Sequence, residues 1–338
     1  MTADSALGPE WLAHRYDETS DQLRFVDYDR ATRASVPFLT DQYLPPRPFR
    51  PLGRNEARAA APATAPIHFI FHSGFCCSTL LAACLDQPGL ATSFSEPMIL
   101  NDIVGWRTRG AVPAAVGRLL DDALALLARP FPGDGAAIIK PSTIVNGLAS
   151  AVLQLRRDAQ AICIHAPLED FVTSIAKKGL DGRLWARELF LAMRRQGLTH
   201  RLGFDDSATF GQTDLQIAAL AWLGQQALFA DLADAFPERA RTISSVQFLA
   251  DPEETLRAAG ALFGLTVGKA QLEAARSGPM QRNSKDMRQF RDADRDQEYE
   301  RARQTYGDEI TKVAIWAAEV AKAASLPLNL PNSLLCGA

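Results

Sequence analysis

The chain has 338 residues, 47% of them hydrophobic and 22% charged, with a net charge of −3. That balance suits a soluble globular protein and excludes a global basic field that would draw the chain to nucleic acid or to an anionic membrane. At about 100–200 residues per domain, the length allows one large domain or two small ones.

The N-terminus, MTADSALGPEWL, lacks a charged start followed by an apolar run, so no secretory signal is expected. The longest apolar stretches fall far short of the roughly 18 residues of a membrane span. A cytoplasmic protein is therefore expected. Residues 1–60 read as an N-terminal extension of mixed helix and strand signals, with Phe25, Val26, Tyr28, Phe38 and Tyr43 as dispersed apolar anchors. It closes in a linker rich in proline (Pro45, Pro46, Pro48, Pro51, Pro62, Pro66) and alanine (57–65), and the main domain spans 61–338.

Ile67–Phe71 is a short apolar run, as a strand covered on both faces requires. A turn over 72–78 follows, then a helix over Ser78–Leu85 stopped by Pro88-Gly89. Further strands are predicted at Ala91–Phe94, Ala136–Ile139, Ala159–Ile164 and Arg241–Ser244. Helices are predicted at Ala114–Leu127, Leu168–Lys178, Gly182–Arg195, Asp214–Ala235, Pro252–Phe263 and Asp296–Ala324. Strands that alternate with helices predict an α/β fold with a parallel sheet and crossover helices. Trp222 is expected in the core.

The turn His72-Ser73-Gly74-Phe75-Cys76-Cys77-Ser78-Thr79 joins a strand to a helix start. The first N–H groups of a helix lack internal partners, and the dipole there favours negative charge. Gly74 permits close approach of an anion, and Ser78 and Thr79 offer hydroxyls. An ordinary strand–helix turn capped by Ser78 fits the spacing equally well. G-x-x-x-x-G-K-[ST] is absent, as no Lys precedes Ser78 or Thr79, and G-x-G-x-x-G is absent too. A cysteine phosphatase would need an Arg six residues after its Cys, where Ala82 and Ala83 stand. The five cysteines are odd in number and Cys76 and Cys77 are adjacent, so they form no disulfide framework. Nor do they have metal-ligand spacing, and no metal is expected.

Phe71–Leu81 followed by Ser95-Glu96-Pro97 resembles the sulfotransferase family, whose 5′-phosphosulfate loop reads Arg/Lys-Ser-Gly-Thr-Thr and two apolar residues. Matched without gaps, Phe75 takes the Arg/Lys place, Cys76 the Ser place, Cys77 the Gly place and Ser78-Thr79 the Thr places. Ile138-Ile139-Lys140-Pro141 is similar to the family's strand ending in Lys. Ile162–Ser174 is similar to its 3′-phosphate segment, with His165 in the place of an Arg and Ala166 in that of an Asp. The family's Ser falls at Thr173 without a gap or at Ser174 with one insertion. Ser245–Leu256 resembles a later strand, loop and helix, and Gln281–Lys285 a loop that closes over the nucleotide. The resemblance covers residues 66–324.

It implies a three-layer P-loop fold with a central parallel sheet, and sulfuryl transfer from 3′-phosphoadenosine 5′-phosphosulfate to a hydroxyl or amine. Glu96 is the candidate general base, His72 its rival and a source of positive charge, and Lys140 a cation for the leaving phosphate. Arg282, Ser284 and Lys285 are expected to contact phosphate. The expected partner is a small-molecule acceptor, with neither nucleic acid nor membrane, and a homo-oligomer is compatible with the sequence. Another P-loop transferase, such as a small-molecule kinase, and a non-catalytic nucleotide-binding protein are the alternatives.

Overall fold

The computed structural model describes residues 7–61, 64–281 and 292–335. Its central element is a five-stranded sheet of order β5-β6-β4-β7-β8, built from β4 (Ile67–His72), β5 (Ala91–Ser95), β6 (Ala136–Lys140), β7 (Ala161–His165) and β8 (Ala240–Ser244). β4 and β5 each pair with β6 in parallel. The chain is thus an α/β protein with a parallel sheet packed against helices, as the alternation of elements predicts. β4 and β6 are buried along their whole length, which explains their unbroken apolar runs.

By contact density the described residues fall into two compact units, 7–71, 78–161 and 253–281 in the first and 72–77, 162–252 and 292–335 in the second. The first contains the N-terminal extension as regular structure. β1 (Trp11–Asp17), β2 (Gln22–Asp27) and β3 (Phe49–Gly53) form an antiparallel sheet of order β1-β2-β3. A register shift between Ala13 and Arg15 breaks the alternation of β1 and hides it from a period-two reading. The expected linker is itself structured. β3 tolerates Pro51 because it is an edge strand, and Arg54–Ala60, rich in helix formers, is the helix α2 that follows α1 (Arg30–Ala34).

Arginines tie this extension to the rest of the first unit. Arg129, 4% exposed, donates to the carbonyls of Leu7, Gly8 and Trp11. Arg15 grips Asp102 with two bonds of 2.8 and 2.9 Å. α4 (Met98–Thr108) and α5 (Pro113–Leu127) pack on β1, and α3 (Ser78–Leu85) packs on β5. α4 is absent from the sequence reading. Pro97 is its N-cap, and Glu96 precedes the cap. α6 (Ala149–Leu155) completes this part of the unit.

In the second unit, α7 (Leu168–Lys177), α8 (Gly179–Arg195) and the short α9 (Asp206–Phe210) lead to α10 (Asp214–Ala235), which matches its predicted bounds. A capping box between Thr213 and Gln216 starts α10. Trp222 is in the core, 2% exposed, donating to Ala166 O at 2.9 Å. Ser245–Ala250, expected to carry strand and loop, is instead the helix α11. Ser244 and Gln247 form a capping box that ends β8 and begins the helix. α12 (Pro252–Leu262) and α13 (Lys269–Ser277) follow, and α14 (Asp292–Ala323) closes the order. Among the described residues no helix is long and apolar enough to cross a membrane.

Candidate active site

In the second unit, the turn after β4 is shaped by left-handed backbone. Gly74, Phe75 and Cys77 have φ of 85°, 51° and 63°. Reversals of backbone handedness gather N–H groups into concavities that hold anions. Buried bonds fix the loop. Ser73 N donates to Ile164 O at 3.2 Å, Ala166 N to Ser73 Oγ at 3.2 Å, and Gln225 Nε2 to Ser73 O at 3.0 Å. Cys76 is 1% exposed and its thiol donates to Ile164 O at 3.3 Å. His72, 5% exposed, accepts at Nδ1 from Gly74 N at 3.1 Å, so the imidazole is bonded to the turn itself.

Cys77 takes the place that the family gives to Gly, and its φ shows why Gly suits that place. A non-Gly residue in the left-handed region costs roughly 1–2 kcal/mol, and Gly recovers that while costing about 0.5–1 kcal/mol of unfolded-chain entropy. Cys77→Gly should therefore gain about 0.5 kcal/mol, whereas β-branched Cys77→Val should lose about 1 kcal/mol. Urea unfolding of the two variants checks the order, and a more stable valine variant would refute it.

Phe75 stands in the place that the resembled family gives to a cation. Its ring meets Trp185 edge-on at 4.9 Å and Phe171 at 6.1 Å. Lys178 Nζ lies over it at 5.8 Å from the centroid. Lys178 is exposed and supplies positive charge beside the turn. The sequence reading missed both Lys178 and Trp185. Lys178 is the residue between α7 and α8 and Trp185 lies within α8, and nothing in their spacing to Phe75 marks them.

His165 closes β7. Burial pushes its imidazole down to about 4, against a bond to the Ile243 backbone that favours protonation. It is neutral at pH 7 and brings no charge to a phosphate. The two hydroxyl candidates have internal partners. Thr173, 1% exposed, donates to Glu169 O at 2.6 Å, one turn back on α7. Ser174 Oγ meets Tyr299 Oη at 2.5 Å. Tyr299, from α14, was not singled out by sequence, and Lys177 Nζ lies over its ring at 4.7 Å.

In the first unit, Glu96 and Lys140 come together. β5 and β6 run parallel with Ser95 opposite Lys140, so the residue after one strand meets the last residue of the other. Lys140 Nζ donates to Glu96 Oε1 at 2.5 Å, and Glu96 N donates to Lys140 O at 2.6 Å. The Lys140 side chain is 1% exposed and that of Glu96 is 18% exposed. A ligand can reach the carboxylate while the ammonium is sealed behind it, with the Phe38 ring 4.8 Å from Nζ. Lys140 is thus a buried, paired cation. Glu96 holds a φ of 55°, a left-handed conformation of the sort that persists where surroundings over-determine it, often at functional sites. Ser78 and Thr79 form the first turn of α3, with Ser78 buried. Arg282, Ser284 and Lys285 lie outside the described residues.

No protein-family description matches the chain, and no curated protein sequence matches it. Several solved structures do. The sulfotransferase domain from the curacin biosynthetic pathway is 14% identical, with a TM-score of 0.38 over 66% of this chain and 81% of that one. A sulfotransferase from Alicyclobacillus acidocaldarius is 15% identical, with a TM-score of 0.38 over 64% of this chain and 91% of that one. The sulfotransferase domain from the Synechococcus PCC 7002 olefin synthase is 16% identical, with a TM-score of 0.38 over 66% and 79%. These structural neighbours of the chain are sulfotransferases.

Proposed function

We propose that the chain transfers a sulfuryl group from 3′-phosphoadenosine 5′-phosphosulfate to a hydroxyl or amine of a small-molecule acceptor. The observation that carries this reading is the Glu96–Lys140 pair at the carboxyl ends of neighbouring parallel strands, where open α/β sheets bind their ligands. A carboxylate reachable by ligand and fixed by a sealed ammonium has the geometry of a general base. The turn fits an anionic group through its left-handed backbone. His165 does not fit as counter-ion to a 3′-phosphate, because it is neutral.

The co-substrate supplies the activated sulfuryl group. Glu96 takes the proton of the acceptor as its oxygen or nitrogen bonds to sulfur, and the electron pair of the breaking S–O bond leaves on the phosphate. Lys140 holds the carboxylate in place. In such transfers the protein mainly positions groups and stabilises charge.

Titration with 3′-phosphoadenosine 5′-phosphate and, separately, with ATP tests the reading. The former should raise the melting temperature, with about 2.7 kcal/mol of stabilisation at 100 times its Kd, and ATP should not. No shift with 3′-phosphoadenosine 5′-phosphate would refute sulfuryl transfer. A shift without transfer to any acceptor would favour the reading suggested by Phe75 and by neutral His165, a protein that binds the nucleotide without chemistry. A shift with ATP alone would favour another P-loop transferase.

A further inference from the structure

In the second unit, α8 presents an apolar stripe to solvent. Leu180, Leu184 and Leu191 are 69%, 50% and 46% exposed. At 3.6 residues per turn they fall within about 40° of one another around the helix. Single exposed leucines are ordinary, but a contiguous apolar surface marks a contact. A phenylalanine extends the stripe. Phe210, which ends α9, is 89% exposed. Arg194 holds α9 beside α8, donating to Phe204 O at 2.8 Å and to Thr209 Oγ1 at 3.1 Å. Arg187 donates to Gln212 O at 3.2 Å. Phe210 is thereby a wing on one flank of the stripe, level with the part of α8 between Arg187 and Arg194.

The two flanks differ in how their charges are met. On the flank of the wing, Arg183, Arg187 and Arg194 pair with Glu309, Asp214 and Asp206. The opposite flank has Asp181, Glu188 and Arg195, all exposed. Among the described residues, none of these three has an ion-pair partner.

The spacing of this face is symmetric. Asp181 and Arg195 stand equally far on either side of Glu188, with Leu184 and Leu191 between them. A two-fold axis perpendicular to α8 near Glu188 sets a second copy of the helix antiparallel to the first. Such an axis lays each flank against the same flank of the other copy. Leu184 then meets Leu191 of the second copy, and Leu191 its Leu184. Asp181 meets Arg195 of the second copy at both ends, and Leu180 lies along the aliphatic stem of that arginine. Phe210 comes level with Leu184 of the second copy. A parallel pairing would instead set Asp181 on Asp181 and Arg195 on Arg195. Charge complementarity thus selects the antiparallel arrangement, and the face is its own complement, as a contact between identical surfaces requires.

We propose that the chain forms a two-fold homodimer through α8, with Phe210 covering the leucine contact from the side. One helix and one ring from each copy make a small interface, so the dimer should dissociate in the micromolar range.

Sedimentation velocity of the full chain from about 1 to 200 µM should show a monomer–dimer equilibrium with Kd of about 10 µM. Leu184→Glu and Leu191→Glu change exposed positions, so the monomer should keep its melting temperature while Kd rises more than tenfold. Asp181→Arg and Arg195→Asp should each weaken the dimer about fivefold to tenfold. The double variant Asp181→Arg/Arg195→Asp should recover the parent Kd, because the reversed charges meet again. The two residues are about 21 Å apart along one helix, so only pairing between copies produces that rescue. Glu188 meets its own copy at the axis, and Glu188→Gln should tighten the dimer about threefold. A parent chain that stays monomeric up to about 200 µM would overturn the dimer. A dimer whose Kd the leucine and charge variants leave unaltered would place the contact elsewhere and overturn its assignment to α8.

Discussion

Glu96→Gln should cut turnover by about 10²–10⁴-fold, the usual range for a general base, and leave the nucleotide-induced melting shift in place. The same substitution has a structural cost that can be separated from the chemistry. It leaves the Lys140 ammonium, 1% exposed, without its counter-charge, and breaking a buried pair from one side costs about 3–5 kcal/mol. Lys140→Met should cost less, because it buries a thioether in place of the ammonium and strands only a carboxylate that is 18% exposed and can take water. The double variant Glu96→Gln/Lys140→Met should recover much of the stability and none of the turnover. Urea unfolding and kcat, measured on the same samples well below each melting temperature, separate the two effects. Unchanged turnover in Glu96→Gln would remove Glu96 as base and leave His72 as the candidate.

The sheet and its helices are legible in the sequence because each rests on a local signal. Ile67–Phe71 and Ala136–Ile139 read as strands covered on both faces, and β4 and β6 are buried at every residue. α10 has a capping box at Thr213 and a sequence rich in Ala and Leu, so its extent is recoverable. The N-terminal extension defeats the same procedure. The β1 pattern is broken by the shift between Ala13 and Arg15, and β3 contains a proline that only an edge strand tolerates. What fixes the extension in its unit is non-local. Arg129 caps carbonyls more than a hundred residues away in sequence, and no periodicity encodes that.

The site shows the same division. Glu96 and Lys140 are singled out by the resemblance, one just after an apolar strand and one at the end of another, but their pairing follows from strand order, which places β5 beside β6. Cys77 looks like an unfavourable departure from the family's Gly until its φ of 63° shows that the backbone keeps the conformation and accepts the strain. Phe75 looks like a lost charge, yet its ring underlies Lys178 Nζ. A cation thus lies beside the turn from just beyond α7, and a motif read residue by residue does not reveal this.

Stability should fall steeply on mild acidification, and histidines rather than carboxylates should dominate the loss. Burial lowers both His68 and His165 to about 4. An unfolded imidazole binds its proton near 6.5, so between pH 6.5 and 4 the unfolded chain holds more protons and each step down in pH favours it. Above 6.5 the contribution is fully present. From pH 7 to 5 each histidine should cost about 2 kcal/mol. Asp86 acts in the opposite sense. Burial raises it to about 6, so its folded form keeps a proton that the unfolded form releases, and acidification to pH 5 returns about 1 kcal/mol. The net loss from these three groups is about 2–3 kcal/mol. His68→Asn retains an acceptor for Gln160 N, which His68 Nδ1 binds at 3.2 Å, and removes the titration; His165→Gln does the latter in the second unit. Each should shrink the difference in unfolding free energy between pH 7 and pH 5 by about 2 kcal/mol, and an unaltered difference in either variant would show that its imidazole is not held neutral. The outcome at His165 also decides its part in nucleotide binding, since an imidazole neutral down to pH 4 can offer a hydrogen bond to a phosphate but not a counter-charge.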